Sequence, residues 1–342
     1  MDSAFAAINN KMRGDILKKK LMILCAILVM ISTCFSGCGF NSGKIRFGSA
    51  GIGGTYQVFG DTFANLVTSK NKKYNIEVKT TAGSASNLRL LSKDYIQMAV
   101  AQMDLINDAY ERTGIFEHDK KYQGYRAVAS LYTEACQIVV PADSSIKSID
   151  DLEGKTVSIG EEESGTEQNA IQILSAYGLN EHVVDEVNLN YTNAAKKLKS
   201  GDIDAFFCTA GVQTTVIGEL AKQCNLRFIS LDQKGIDRLK KSYKFYTEYT
   251  IPANTYTGQT SDIKTVGVKA VLLASDKLSE DTVKDITQIL FKNEQQIQYA
   301  LPVNISLDEK NATEGITIPF HDGAAAYYKQ HGITVNTEKG SN

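Results

Sequence analysis

The residues of this chain that could do chemistry are concentrated in three short turns. Ser49-Ala50-Gly51-Ile52-Gly53-Gly54-Thr55-Tyr56 closes a β-like run and opens a helical one. Ala82-Gly83-Ser84-Ala85-Ser86-Asn87 does the same further on, and Glu163-Ser164-Gly165-Thr166 repeats the arrangement near the middle of the chain. Glycine lets a backbone turn tightly and approach a ligand, and the unpaired N–H groups of a helix start favour an anion. A Ser or Thr before a helix is also the ordinary N-cap, so one such turn carries little weight. Three at equivalent positions point to a cleft whose walls offer N–H groups to a carboxylate. One wall is expected to present the backbone of Gly54 and Thr55 with the side chains of Thr55, Ser84, Asn87 and Gln102. The other presents Ser164, Gly165, Thr166 and Thr209, with Gln213 one helical turn on, while Tyr56 and Tyr256 supply apolar or hydrogen-bonding walls. No Arg stands next to Phe206–Gly211, so neutral donors and helix starts must balance the ligand's charge. That suits a small carboxylate or amino acid, of the size of glutamate or 2-oxoglutarate.

Catalytic sets fare badly. The 4 His and 6 Cys show no CxxC, HExxH or HxH spacing, so no metal site and no cofactor is expected. Gly51-x-Gly53 is followed by Tyr56 where a dinucleotide fingerprint needs its third Gly, and Gly154-Lys155-Thr156 has Ile149 where a P-loop needs its first. Ser164 is preceded by Glu162 where a nucleophile elbow requires Gly. Glu161-Glu162-Glu163 reads as a solvated acidic loop. His118 and His182 fall in polar connections, and His321 and His331 flank a C-terminal helix; none neighbours a nucleophile in sequence. The chain is not expected to be an enzyme.

The elements that must position these turns alternate regularly. Strand-like runs at Lys44–Gly48, Tyr74–Thr81 and Ile96–Gln102 are each followed by a helical stretch, Thr55–Ser69, Ser84–Leu91 and Leu105–Arg112. Two strands, Arg126–Leu131 and Cys136–Val140, lead to Pro141. The pattern then restarts with strands at Thr156–Gly160, Val187–Tyr191, Ala205–Thr209 and Leu226–Leu231, and helices at Thr166–Tyr177, Asn193–Lys199 and Val212–Gln223. Such alternation marks an α/β fold. A final strand, Val266–Ala274, and a long helix, Ser279–Ala300, have no sheet of their own and are expected to return to the first half. The expected architecture is two similar α/β lobes with the ligand cleft between them. Residues 44–140 with about 262–342 form one lobe and 141–261 the other. Crossings near Pro141 and near residues 255–265 would let the lobes close as on a hinge.

Length and composition agree. With 342 residues, 43% of them hydrophobic, the chain can build two real cores. Lys plus Arg number 37 against 39 Asp plus Glu, a balance that leaves no basic surplus for a nucleic acid partner. The N-terminal region is separate. Lys18-Lys19-Lys20 precedes the apolar stretch Leu21–Phe35, and Phe35-Ser36-Gly37-Cys38 follows. This reads as a signal segment over 1–37, cleaved before Cys38, with 38–43 as a short tether. Ile31-Ser32-Thr33-Cys34 is a weaker candidate for the modified site, and an uncleaved anchor would give the same topology. Cys136, Cys208 and Cys224 fall in different elements and read as free thiols.

The residues also resemble a known family. Gly51-Ile52-Gly53-Gly54-Thr55-Tyr56, Gly83-Ser84-Ala85-Ser86-Asn87-Leu88, Ala101-Gln102-Met103-Asp104, Gly165-Thr166-Glu167-Gln168-Asn169-Ala170, Asp204-Ala205-Phe206-Phe207 and Ile318-Pro319-Phe320-His321 look like the successive motifs of TAXI solute receptors. Phe35-Ser36-Gly37-Cys38 likewise resembles a bacterial lipobox. The TAXI resemblance runs from about Ile45 to Gly332. Ala82 stands where the family usually has Gly, and Met103 where a small Ser is common. The resemblance implies the two-lobe, type II periplasmic-binding-protein-like fold and an extracytoplasmic, lipid-anchored, monomeric receptor that closes around a small acid or amino acid and hands it to an integral-membrane TRAP permease. An ABC-type binding lipoprotein and a tethered ligand sensor are the alternatives.

Anchoring is directly testable. Cells fed labelled palmitate should place label on the protein, and Cys38→Ala should abolish it and release the chain from the membrane, because two acyl chains suffice for stable anchoring. Persistent labelling of Cys38→Ala would contradict this.

Overall fold

A computed structural model describes residues 44–119, 123–301, 303 and 307–338; the leader, the lipobox and Cys38 lie outside the described residues. The first half begins β1 (Lys44–Gly48), α1 (Thr55–Lys70), β2 (Asn75–Lys79), α2 (Ser84–Ser92), β3 (Met98–Gln102) and α3 (Met103–Glu111). In α1 the apolar residues Tyr56, Phe59, Phe63 and Val67 recur at helical spacing and are buried. Phe59 stacks on Phe63 at 5.4 Å between ring centroids. β3 is buried along its whole length, as its unbroken Met-Ala-Val-Ala run requires.

The long strand β4 (Tyr125–Pro141) follows, then β5 (Thr156–Gly160), α4 (Gly165–Ala176), β6 (Asp185–Asn188), α5 (Tyr191–Ser200), β7 (Ala205–Ala210), α6 (Thr215–Ala221), β8 (Leu226–Phe228), α7 (Gln233–Ser242) and β9 (Thr247–Ile251). A second long strand, β10 (Ile263–Ser275), leads back to α8 (Glu280–Lys292), α9 (Glu294–Ala300) and α10 (Asp322–Gln330). Among the described residues no helix is long and apolar enough to cross a membrane.

The strands form one sheet in the order β2-β1-β3-β10-β4-β7-β5-β6, with β8 beside β4 and β9 beside β10. Its middle is the antiparallel pair of β4 and β10, matched from Gly267 with Ala135 to Ser275 with Tyr125. Each of these strands serves both halves. β10 pairs with β3 over Ala270–Ala274 and with β9 over Ile263–Gly267, while β4 turns to β7 from Ala135 onward. The apolar core changes at the same place. Leu131 and Tyr132 of β4 and Ala270–Ala274 of β10 belong to the core of the first three βα units, together with α8 and α10. Cys136 and Ile138 of β4 and Val266 and Val268 of β10 face one side of the second half, and Ala135 and Val139 the other. The result is two lobes sharing one ladder. From Ala270 onward the final strand pairs with β3, and α8 and α10 pack into the core of the first three βα units.

Three differences from the sequence reading have physical causes. Arg126–Leu131 and Cys136–Val140 are one strand: the polar pair Thr133-Glu134 looks like a break, but pairing to β10 carries the backbone straight through. Ser279–Ala300 is two helices because Asn293 leaves the helical region and starts a second one. The sequence reading missed α7 and β9; α7 buries only Gly235, Ile236 and Leu239 on an otherwise charged helix, too narrow an apolar stripe to stand out.

The ladder is tight at the crossing. A Cβ placed on Gly267 would lie 2.6 Å from Thr133 Cγ2 and 2.9 Å from the Glu134 carbonyl oxygen. Gly267→Ala should therefore destabilise the protein by about 1–3 kcal/mol, the usual cost of overpacking. An unchanged urea midpoint would show that the crossing yields freely.

Candidate functional site

The cavity between the lobes is lined by Ala50, Gly51, Gly54, Thr55 and Tyr56 at the start of α1, Ala82, Gly83 and Ser84 at the start of α2, and Gln102 and Glu134. From the second lobe come Glu161, Ser164, Gly165, Thr166, Asn190, Tyr191, Thr209 and Ala210. Of the residues singled out in the sequence, Gly54, Thr55, Tyr56, Ser84, Gln102, Ser164, Gly165, Thr166 and Thr209 meet here. The cavity measures about 40 Å³; a water takes roughly 10–15 Å³ on that scale, so the closed site holds a small polar group.

The lobes meet along its rim. Thr192 Oγ1 donates to the Ile52 carbonyl at 3.2 Å, Thr214 Oγ1 to the Gly53 carbonyl at 3.2 Å, and Ser86 N–H to the Glu163 carbonyl at 3.1 Å. Deeper, Asn169 Nδ2 donates to Asp104 Oδ2 at 3.2 Å. The turns are shaped for close approach: Gly83 adopts φ +132°, a conformation that side chains disfavour, and a Cβ there would lie 3.4 Å from Ser164 Cα.

The hydroxyls expected to grip a ligand are partly committed elsewhere. Ser164 Oγ caps α4 by accepting the Glu167 N–H at 3.0 Å. Thr166 Oγ1 accepts the Thr209 N–H at 3.2 Å and lies 2.6 Å from Tyr191 Oη, which donates to the Thr209 carbonyl at 2.9 Å. The Gly54 N–H donates to the Gly51 carbonyl at 3.3 Å, which withdraws it from the expected donor set. The first N–H groups inside α1 and α4, at Thr55, Tyr56, Gly165 and Thr166, are the donors that a helix start leaves free for a ligand.

Three of the singled-out residues stand outside the cavity lining. Asn87 is wholly buried and donates to the carbonyls of Ser49 at 2.7 Å and Val100 at 2.8 Å, tying the first turn to β3. Tyr256 stacks on Phe228 at 5.0 Å and donates to Gln137 Oε1 at 2.6 Å. Gln213 sits at φ +70° with its N–H donating to Tyr256 Oη at 3.0 Å. All three shape the walls from behind.

The residue that sequence reasoning missed is Glu134. It is buried at 2% exposure, at the crossing on β4, and Tyr56 Oη donates to its Oε2 at 2.7 Å. Burial pushes its carboxyl up to about 8, against the lowering effect of hydrogen bonds from Tyr56 and the Gln102 amide. Gln102 Oε1 and Thr55 Oγ1 are buried without a hydrogen-bond partner. Asp104, behind the cavity, is likewise pushed up to about 6 by burial. Tyr191 and Asn190 were also missed, because they close a run that reads as a strand. No lining residue is a Lys, Arg or His, and among the described residues no group of three or more His, Cys, Asp or Glu could hold a metal ion. Cys136 and Cys208 are buried free thiols and Cys224 a half-buried one.

A carboxyl whose folded value exceeds its ordinary 4.5 binds more protons folded than unfolded, so stability falls as pH rises from that value toward about 8, by at most about 1.4 kcal/mol per pH unit. Relative to Glu134→Gln, the ligand-free wild type should lose stability between pH 5 and pH 8. Urea midpoints that shift equally in both proteins would contradict the assignment.

Comparison with known proteins adds the following. A model of the NMT1-like family matches residues 47–332. Among solved structures, one described as a periplasmic transporter superposes with a TM-score of 0.56 at 12% identity, over 86% of this chain and 95% of that one. A protein of Bordetella bronchiseptica RB50 gives a TM-score of 0.51 at 16% identity, over 88% of this chain and 85% of that one. At these identities the likeness is one of fold, an α/β architecture in two lobes.

Proposed function

The chain belongs to the NMT1-like family, whose model spans residues 47–332, and from this premise we propose that it is an extracytoplasmic solute receptor. It binds a small organic acid or amino acid between its lobes and delivers it to a membrane permease, without chemical conversion. The observation that carries this reading is the pair of helix starts, α1 and α4, facing one another across a small buried cavity. Their free N–H groups suit a carboxylate. The Ser164 hydroxyl is spent on its cap and the Thr166 hydroxyl accepts the Thr209 N–H, and no His lines the cavity.

The order and spacing of the TAXI-like motifs favour a TRAP-type permease over an ABC importer as the receiving partner, and the apolar leader ending at Cys38 supports lipid anchoring of a monomer outside the cell membrane. Closure turns on β4 at Tyr132–Ala135 and on β10 at Val268–Ala270, where the apolar core passes from one lobe to the other. The first lobe is then 44 to about 133 with about 269 onward. The rim contacts between Thr192 and Ile52 and between Thr214 and Gly53 bridge the two lobes, and opening would break them.

A thermal-shift screen of organic acids, amino acids and sugars tests the reading. A solute at about 100 times its dissociation constant adds roughly 2.7 kcal/mol of stability, a melting shift of about 5–10 °C. At least one small acid or amino acid should do this. A protein that responds only to sugars or to inorganic cations would overturn the assignment.

A further inference from the structure

The charge and hydrogen-bonding pattern of the cavity is more selective than a carboxylate site needs. Its ionisable acidic lining consists of Glu134 and Glu161, and no cationic side chain lines it. Glu134 is surrounded by donors, the Tyr56 hydroxyl at 2.7 Å and the Gln102 amide. The Gln102 Oε1 is buried and without a partner, on a side chain that lines the cavity. The oxygen also abuts the start of α4: a Cβ on Gly165 would fall 2.1 Å from it, so only glycine lets the two come together. An acceptor set is thus seated directly beside the N–H groups of Gly165 and Thr166.

We infer that the solute carries a protonated amine on the carbon next to its carboxylate, and that Glu134 and Gln102 Oε1 accept its hydrogen bonds while the helix starts hold the carboxylate. This rests on the receptor reading and deepens it to an α-amino acid, in preference to the matching 2-oxo acid. A 2-oxo group would set a third acceptor against Gln102 Oε1 and Glu134, leaving buried groups unpaired, which is the kind of mismatch a polar site rejects strongly. The alternative, a protonated Glu134 donating to the oxo oxygen, would still leave Gln102 Oε1 facing an acceptor.

The two arrangements differ in protons. The other titratable groups around Glu134 are Tyr56, Tyr132, Tyr191, Cys136 and Cys208, all raised by burial and neutral near pH 7, Asp104, which burial pushes up to about 6, and Glu161 across the cavity, also raised by burial. The empty site keeps Glu134 protonated up to about 8. An ammonium favours the carboxylate, so its binding at pH 7 must release a proton, and its affinity rises with pH toward 8. A 2-oxo acid held by the protonated carboxyl releases none and loses affinity above pH 8.

Titration calorimetry at pH 7, in two buffers of different ionisation enthalpy, separates them. The common α-amino acids and their 2-oxo counterparts are the probes, L-glutamate with 2-oxoglutarate and L-alanine with pyruvate among them. The amino member of the responding pair should bind at least about tenfold more tightly and release close to one proton. Glu134→Gln should abolish the release and erase most of the preference, and Gln102→Leu should weaken the amino acid more than the oxo acid. Tighter binding of a 2-oxo acid, or amino acid binding with no proton release from the wild type, overturns the inference and leaves the receptor reading standing. If neither these pairs nor any other small organic acid or amino acid binds, both fall.

Discussion

Everything in this molecule hangs on one antiparallel ladder, β4 against β10, which belongs to both lobes. Pairing from Gly267 with Ala135 to Ser275 with Tyr125 fixes which residues of each strand face which core. It also places Glu134 at the point where β4 leaves one core for the next, opposite Val268. Its side chain lines the cavity between the lobes. The same crossing brings the starts of α1 and α4 to that gap from opposite sides, because both follow strands, β1 and β5, whose carboxyl ends face it.

A buried carboxyl with no cation is costly, and proteins relieve the cost by keeping the group neutral. The raised value at Glu134 is that relief. On the receptor reading, retaining such a group between two apolar cores trades stability for recognition. The contacts that shut the cleft are polar: hydrogen bonds at Ile52, Gly53, Glu163 and Asp104, each worth about 0.5–1.5 kcal/mol, and an ion pair of Arg89 with Glu163 at 3.3 Å. Closure of that modest strength is one a solute can tip, provided the shut form binds it better than the open one.

The helix starts were legible in the sequence because glycine before a Ser or Thr and an apolar helical run is a strong local signal. That Val266–Ala274 is a strand was legible too, but not that it divides its pairing between β3 and β9. Glu134 was not. Its only local signal was a polar pair between two apolar runs, which reads as a strand break, and its meaning depends on β10, more than a hundred residues away. Asn87 and Tyr256 were polar residues at plausible sites, but their partners, the Ser49 carbonyl and Phe228, come from the tertiary fold. Ser164 and Thr166 show the opposite limit: they lie where the sequence puts them, yet their hydroxyls are already used by the Glu167 and Thr209 N–H groups.

The central claim is that two lobes on a shared ladder close around a solute at Glu134. Small-angle X-ray scattering of the purified protein, without solute and then saturated with one found to bind, tests it most directly. The account predicts a smaller radius of gyration and a more compact distance distribution in the saturated sample. Superimposable curves, with binding established on the same material, would contradict it.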